Sequence, residues 1–101
     1  MKGREKRMEM PAVDECEVWD CAYNRDGGCH ALAITVGDPP RAQCDTYFNA
    51  LHKGGDPAAV GHVGACKMGD CQHNVDFECQ APGISVGAET NTAHCLTYTS
   101  R

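Results

Sequence analysis

Eight cysteines are the residues with chemistry to offer in this chain of 101. They fall as C-x4-C-x7-C-x14-C (Cys16, Cys21, Cys29, Cys44) and again as C-x4-C-x7-C-x15-C (Cys66, Cys71, Cys79, Cys95). Four thiolates suit one tetrahedral zinc ion, which takes sulfur at about 2.3 Å, and two cysteines up to about four residues apart can grip it from one tight loop. Cys16/Cys21 and Cys66/Cys71 would supply that loop, while Cys29/Cys44 and Cys79/Cys95 would come from the strands of a hairpin. Two Zn2+ ions, one per set, are expected. A closed set of four protein ligands keeps no position for water or substrate, so hydrolytic zinc chemistry is not expected and the chain is read as no enzyme.

Other uses of the thiols fit less well. A plant-type iron–sulfur run needs C-x4-C-x2-C, which the x7 gap breaks, and there is no C-x2-C pair of the kind a redox dithiol would want. Disulfides are the rival that spacing leaves open, since four cysteines allow three connectivities per set. The histidines are tempting ligands, but His30 aligns with Gln80, His73 with Tyr23 and His94 with Gln43. None is duplicated, so a ligand set common to both halves is the cysteines alone.

That comparison rests on an internal repeat. Laid on itself at an offset of fifty or fifty-one, the chain also matches Val13/Val63, Asp20/Asp70, Asn24/Asn74, Asp26/Asp76, Ala31/Ala81, Ile34/Ile84, Val36/Val86, Thr46/Thr97 and Tyr47/Tyr98. The expected organisation is a basic N-terminal arm (1–12), a first module (13–49), a linker (50–62) holding Gly54-Gly55-Asp56-Pro57, and a second module (63–101). Within the first module Leu32, Ile34 and Val36 alternate on one face of a strand stopped by Gly37-Asp38-Pro39-Pro40. In the second, Pro82 implies a strand that starts late or lies at a sheet edge. Cys44-Asp45-Thr46-Tyr47 and Cys95-Leu96-Thr97-Tyr98 are expected to return antiparallel. Asn24 and Asp26, like Asn74 and Asp76, predict a turn with side-chain-to-amide bonds and left-handed backbone between the second and third cysteines. Tyr47, Phe48 and Leu51 suggest a helical turn stopped by Gly54.

Modules of this size bury too little surface to fold comfortably unaided. A structural zinc site contributes about 10–16 kcal/mol in finger peptides, as much as a whole domain's stability of about 5–15 kcal/mol. Fold class is therefore a small, metal-stabilised β-rich protein, two tandem zinc-stapled β-hairpin modules with little helix. The net charge is −5, with +2 on residues 1–12 and −7 on the rest, which argues against nucleic acid as a partner. No apolar run reaches the roughly 20 residues of a membrane span or forms a signal-peptide core. A cytoplasmic, monomeric chain without membrane association follows, and reduced thiols there favour metal over disulfides.

The run Cys-x4-Cys-x-Tyr-Asn-x4-Cys-x-Ala-x2-Ile-x-Val, then Cys-x-Thr-Tyr, resembles the bacterial domain of unknown function 1540, and the resemblance covers both modules. It implies a short tandem four-cysteine protein presumed to bind metal, with no assigned function. The departures are His73 at the tyrosine position and Pro82-Gly83 before Ile84.

Trp19, where the second copy has Gly69, is either an exposed contact for a partner protein or a cap over the linker, with packing against Val13 or its own module preferred because buried area is scarce. Tyr47 and Tyr98 are read as core. Asp20 and Asp70 are read as satisfying loop amides, and the basic start, Lys2 to Arg7, is assigned no function. The whole reads as a non-catalytic zinc-binding adaptor, the alternatives being a zinc buffer or sensor and a disulfide-stapled structural protein.

Overall fold

The computed structural model describes residues 10–89 and 92–101; the basic stretch Lys2 to Arg7 lies outside them. Among the described residues ten strands form and no helix. The first copy contributes β1 (Ala12–Cys16), β2 (Asn24–Arg25), β3 (Gly28–Cys29), β4 (Ile34–Asp38) and β5 (Arg41–Cys44). The second repeats the series as β6 (Val63–Cys66), β7 (Asn74–Val75), β8 (Glu78–Cys79), β9 (Gly83–Glu89) and β10 (Thr92–Cys95).

The turn predicted between the second and third cysteines is the β2–β3 hairpin and its copy β7–β8. Buried Asn24 donates from Nδ2 to the Cys16 carbonyl at 2.8 Å and accepts the Gly27 amide on Oδ1 at 3.2 Å. Asn74 does the same with Cys66 at 2.9 Å and Phe77 at 2.9 Å. Asp26 and Asp76 take φ of 55° and 53°, the left-handed backbone such a turn requires. One side chain thus closes the turn and ties it to the strand carrying the first cysteine.

The Ile-x-Val segments do form strands that return antiparallel, β4 with β5 and β9 with β10. Four details differ from expectation. The return strand runs up to Cys44 and Cys95, not onward from them, because Thr46 and Thr97 turn inward to accept the Thr35 and Ser85 amides on Oγ1 at 3.1 and 3.0 Å. Leu32 stands outside β4 and is exposed. And β9, far from being a late edge strand, starts directly after Pro82 and is paired on both sides, since a proline just before the first paired residue removes no ladder bond. The stretch of Tyr47, Phe48 and Leu51 is not helical; Phe48 and Leu51 face water, so no apolar stripe exists to drive a helix.

The two hairpins are joined in one six-stranded sheet of order β1-β9-β10-β5-β4-β6. At its centre β10 meets β5 antiparallel, His94 opposite Gln43. On the flanks the copies exchange their opening strands. First-copy β1 lies parallel to second-copy β9, with Val13 opposite Ile84 and Cys16 opposite Val86. Second-copy β6 lies parallel to β4, with Val63 opposite Ile34 and Cys66 opposite Val36. The order reads the same after the copies are interchanged, so the sheet has an internal twofold. Its two outer strands meet through an antiparallel bridge between Ala12 and His62, with the Val13 amide on the Gly61 carbonyl and the Val63 amide on the Pro11 carbonyl. The closed ring leaves neither edge open at that point. Within it Val13, Ile34, Val36, Val63, Ile84 and Val86 are all at most 3 % exposed, so the separate hairpins of the sequence reading share one core.

Residues 50–62 are fastened to the first copy along their length. The Gly54 amide donates to the Ala22 carbonyl, Asp56 to His30 and Gly61 to Cys29. Gly55, at φ 78°, sits so close to His30 that a Cβ would overlap its carbonyl, so this position needs glycine twice over.

Candidate metal centres

Each set of four cysteines converges. Cys16 ends β1, Cys21 follows the turn after it and bridges to Asn49, Cys29 ends β3 and Cys44 ends β5. All four line one apolar cavity of about 20 Å3. Cys66, Cys71, Cys79 and Cys95 line its counterpart of about 10 Å3. A cavity of that order holds a single water-sized body. Val86, from the second copy, lines the first cavity, and Val36, from the first, lines the second. All eight cysteines are free thiols. Among the described residues no three His, Cys, Asp or Glu side chains stand in an arrangement that would already hold a metal ion.

The electrostatics are set by burial. Desolvation pushes the Cys44 thiol up to about 12 and Cys95 up to about 11, and raises Cys29, Cys66 and Cys79 as well. Opposing it, backbone amides two residues further along donate to the sulfurs: Ala31 to Cys29, Thr46 to Cys44, Met68 to Cys66, Ala81 to Cys79 and Thr97 to Cys95. The His73 amide does likewise to Cys71 at 3.5 Å. Such donors favour the thiolate, and neighbouring thiols of the same copy disfavour it. Each copy thus gathers four sulfurs around an atom-sized space, with backbone amides donating to several of them and no basic side chain among the influences on the raised thiols.

The histidines stand mostly apart. His30 donates from Nδ1 to the Ala59 carbonyl at 2.7 Å, and His94 lies 3.0 Å from Thr92 Oγ1 and 3.6 Å from Glu89 Oε1. His73 is the exception, lining the second cavity where Tyr23 lines the first.

Three readings of single residues are corrected. Trp19 is 65 % exposed, so it is not packed into its module. Asp20 and Asp70 accept the Tyr47 and Tyr98 hydroxyls at 2.9 and 2.7 Å, not loop amides, and Asp20 also takes Asn49 Nδ2 at 2.8 Å. The tyrosines are accordingly half-buried, rings against the core and hydroxyls at the surface. The joint repetition of Asp20/Asp70 with Tyr47/Tyr98 was the available signal for this clasp. Sequence reasoning also missed Lys53, whose Nζ caps the Trp19 and Cys21 carbonyls at 2.9 and 3.1 Å, and Arg101, which caps Cys71 and Asn74 at 3.2 and 2.6 Å. These two are unlike residues at unaligned positions, so the repeat gave no sign of them.

No curated protein and no solved structure matches this sequence. The family model described as Domain of Unknown Function (DUF1540) matches it twice, over residues 15–50 and 65–99. These spans hold all four cysteines of each copy and more than half of the chain, which therefore belongs to the DUF1540 family as a tandem pair.

Proposed function

We propose that the chain is a small non-catalytic binding protein whose two four-cysteine clusters each take one zinc ion, and that the metal holds the β-framework on which a partner surface is carried. The observation that supports this most directly is the convergence of four sulfurs, from four separate segments, on one atom-sized cavity in each copy. Cys16, Cys21, Cys29 and Cys44 would hold one ion, Cys66, Cys71, Cys79 and Cys95 the other. Zinc supplies the positive charge that makes four buried thiolates affordable, and closed thiolate coordination is structural. The same burial disfavours the alternative of redox catalysis, since a nucleophilic thiol needs a lowered pKa and these are raised.

A buffer or sensor would exchange its metal readily; sulfurs enclosed by the other copy's valine favour slow exchange. Elemental analysis with native mass, before and after chelation, tests the reading. Two zinc ions per chain, removed slowly by chelator and with all eight thiols recovered, is the expected result. A chain that takes up no zinc, one no less stable without it, or one lighter by two hydrogens per disulfide, would overturn it.

A further inference from the structure

The thiol clusters leave unexplained an open cleft of about 660 Å3 on the first copy. Its walls divide into two kinds. Asn24 and Asp26 belong to the repeated turn and recur as Asn74 and Asp76. The others do not recur: Trp19 aligns with Gly69, Arg25 with Val75 and His30 with Gln80, while Lys53 and Pro57 come from the linker. A duplicated protein keeps in both copies what the fold needs. Here the residues that the fold does without in its second copy meet at one place.

Their chemistry is consistent. Trp19 leaves 65 % of its surface in water, its ring resting over Gly27. Phe48, 59 % exposed, lines a neighbouring hollow together with Lys53. Lys53 Nζ spends two donors on backbone carbonyls and Arg25 Nη2 reaches the Lys53 and Gly54 carbonyls at 3.4 Å each, which fixes both cations next to the indole. Arg25 Nε is buried with no partner, and both side chains keep further N–H groups. His30, its Nδ1 committed to Ala59, turns Nε2 away from that bond. Asp26 is the one acidic residue of the lining. A cationic, aromatic spot has thus been assembled on a chain of net charge −5.

We propose that this cleft docks an acidic segment of a partner protein, its carboxylates meeting Arg25 and Lys53 and an apolar side chain covering Trp19. Tryptophan and arginine together are the usual anchors of protein interfaces, and the volume falls in the range of about 300–1,000 Å3 of binding clefts. An extended polyanion would also meet the acidic remainder of the chain, whereas a short segment touches the cleft alone.

The test is selection from a random dodecapeptide display library on the full-length chain, followed by binding of the selected peptides to a variant carrying the second copy's residues, Trp19→Gly, Arg25→Val and His30→Gln. The second copy folds with these residues, and circular dichroism confirms that the variant does too. Expected are peptides rich in Asp or Glu with an aromatic or aliphatic residue, which shift the emission of Trp19, the chain's one tryptophan, and bind the variant at least tenfold more weakly, with affinity falling as salt rises. No enrichment, basic or uncharged consensus peptides, unchanged binding to the variant, or competition by a nucleic acid oligomer at equal affinity would overturn the proposal.

Discussion

Replacing Val86 with alanine should loosen the thiol cluster of the copy it does not belong to. Val86 is 3 % exposed, sits opposite both Cys16 and Cys95 in the sheet, and lines the cavity of Cys16, Cys21, Cys29 and Cys44. The change removes two buried methyl groups, about 1.6 kcal/mol at about 0.8 per carbon, and the cavity left behind raises this to about 2–3 kcal/mol. A loss of about 2 kcal/mol multiplies the open population roughly thirtyfold, at tenfold per 1.4 kcal/mol. The assay is timed alkylation of the reduced, metal-free chain under native conditions, with each cysteine followed by peptide mass. Cys16, Cys21, Cys29 and Cys44 should gain at least tenfold in rate, and the second set distinctly less; Val36→Ala should give the mirror result. An increase confined to Cys66, Cys71, Cys79 and Cys95, or equal at all eight positions, would refute the idea that strand exchange sets who guards which cluster.

Two further outcomes follow from the site. Asn74→Ala strips the buried Cys66 carbonyl and the Phe77 amide of their partner, and at about 1–3 kcal/mol for each of the two orphaned groups should cost roughly 2–6 kcal/mol in urea unfolding, as should Asn24→Ala; a loss below about 0.5 kcal/mol, roughly a surface substitution's effect, contradicts the turn's role. The metal-free chain should be most stable below about pH 9 and weaken toward about pH 12, because thiols free in the unfolded chain release protons near 9.0 while burial holds Cys95 to about 11 and Cys44 to about 12. The unfolded state then binds fewer protons than the native one, and a urea midpoint that stays level or rises over that window would contradict the burial argument.

Much of the local structure was legible because it is written twice. Asn24 and Asn74 announce their turns by residue type, and Ile34-x-Val36 and Ile84-x-Val86 announce strands by alternation. Strand exchange was not legible. Val13 and Val63 have the same character, and nothing in either says whether its strand joins its own hairpin or the other copy's; that choice is made by residues 50–62, which lie against the first copy and deliver β6 beside β4. Trp19 was misjudged for a related reason: scarcity of buried area argues for covering an indole, but the core was already filled by aliphatic residues from both copies. The sulfurs were found by spacing alone, and their gathering into two cavities followed from the turns.

The internal twofold bears on ancestry and assembly. A chain with only one such unit would own a hairpin and a lone flanking strand, and two such chains, each lending that strand to its neighbour, would rebuild the same six-stranded ring around a true symmetry axis. In this protein a thirteen-residue tether, 50–62, replaces the encounter of two molecules, making assembly independent of concentration and freeing each half to diverge, as the differing faces at Trp19 and Gly69 already show.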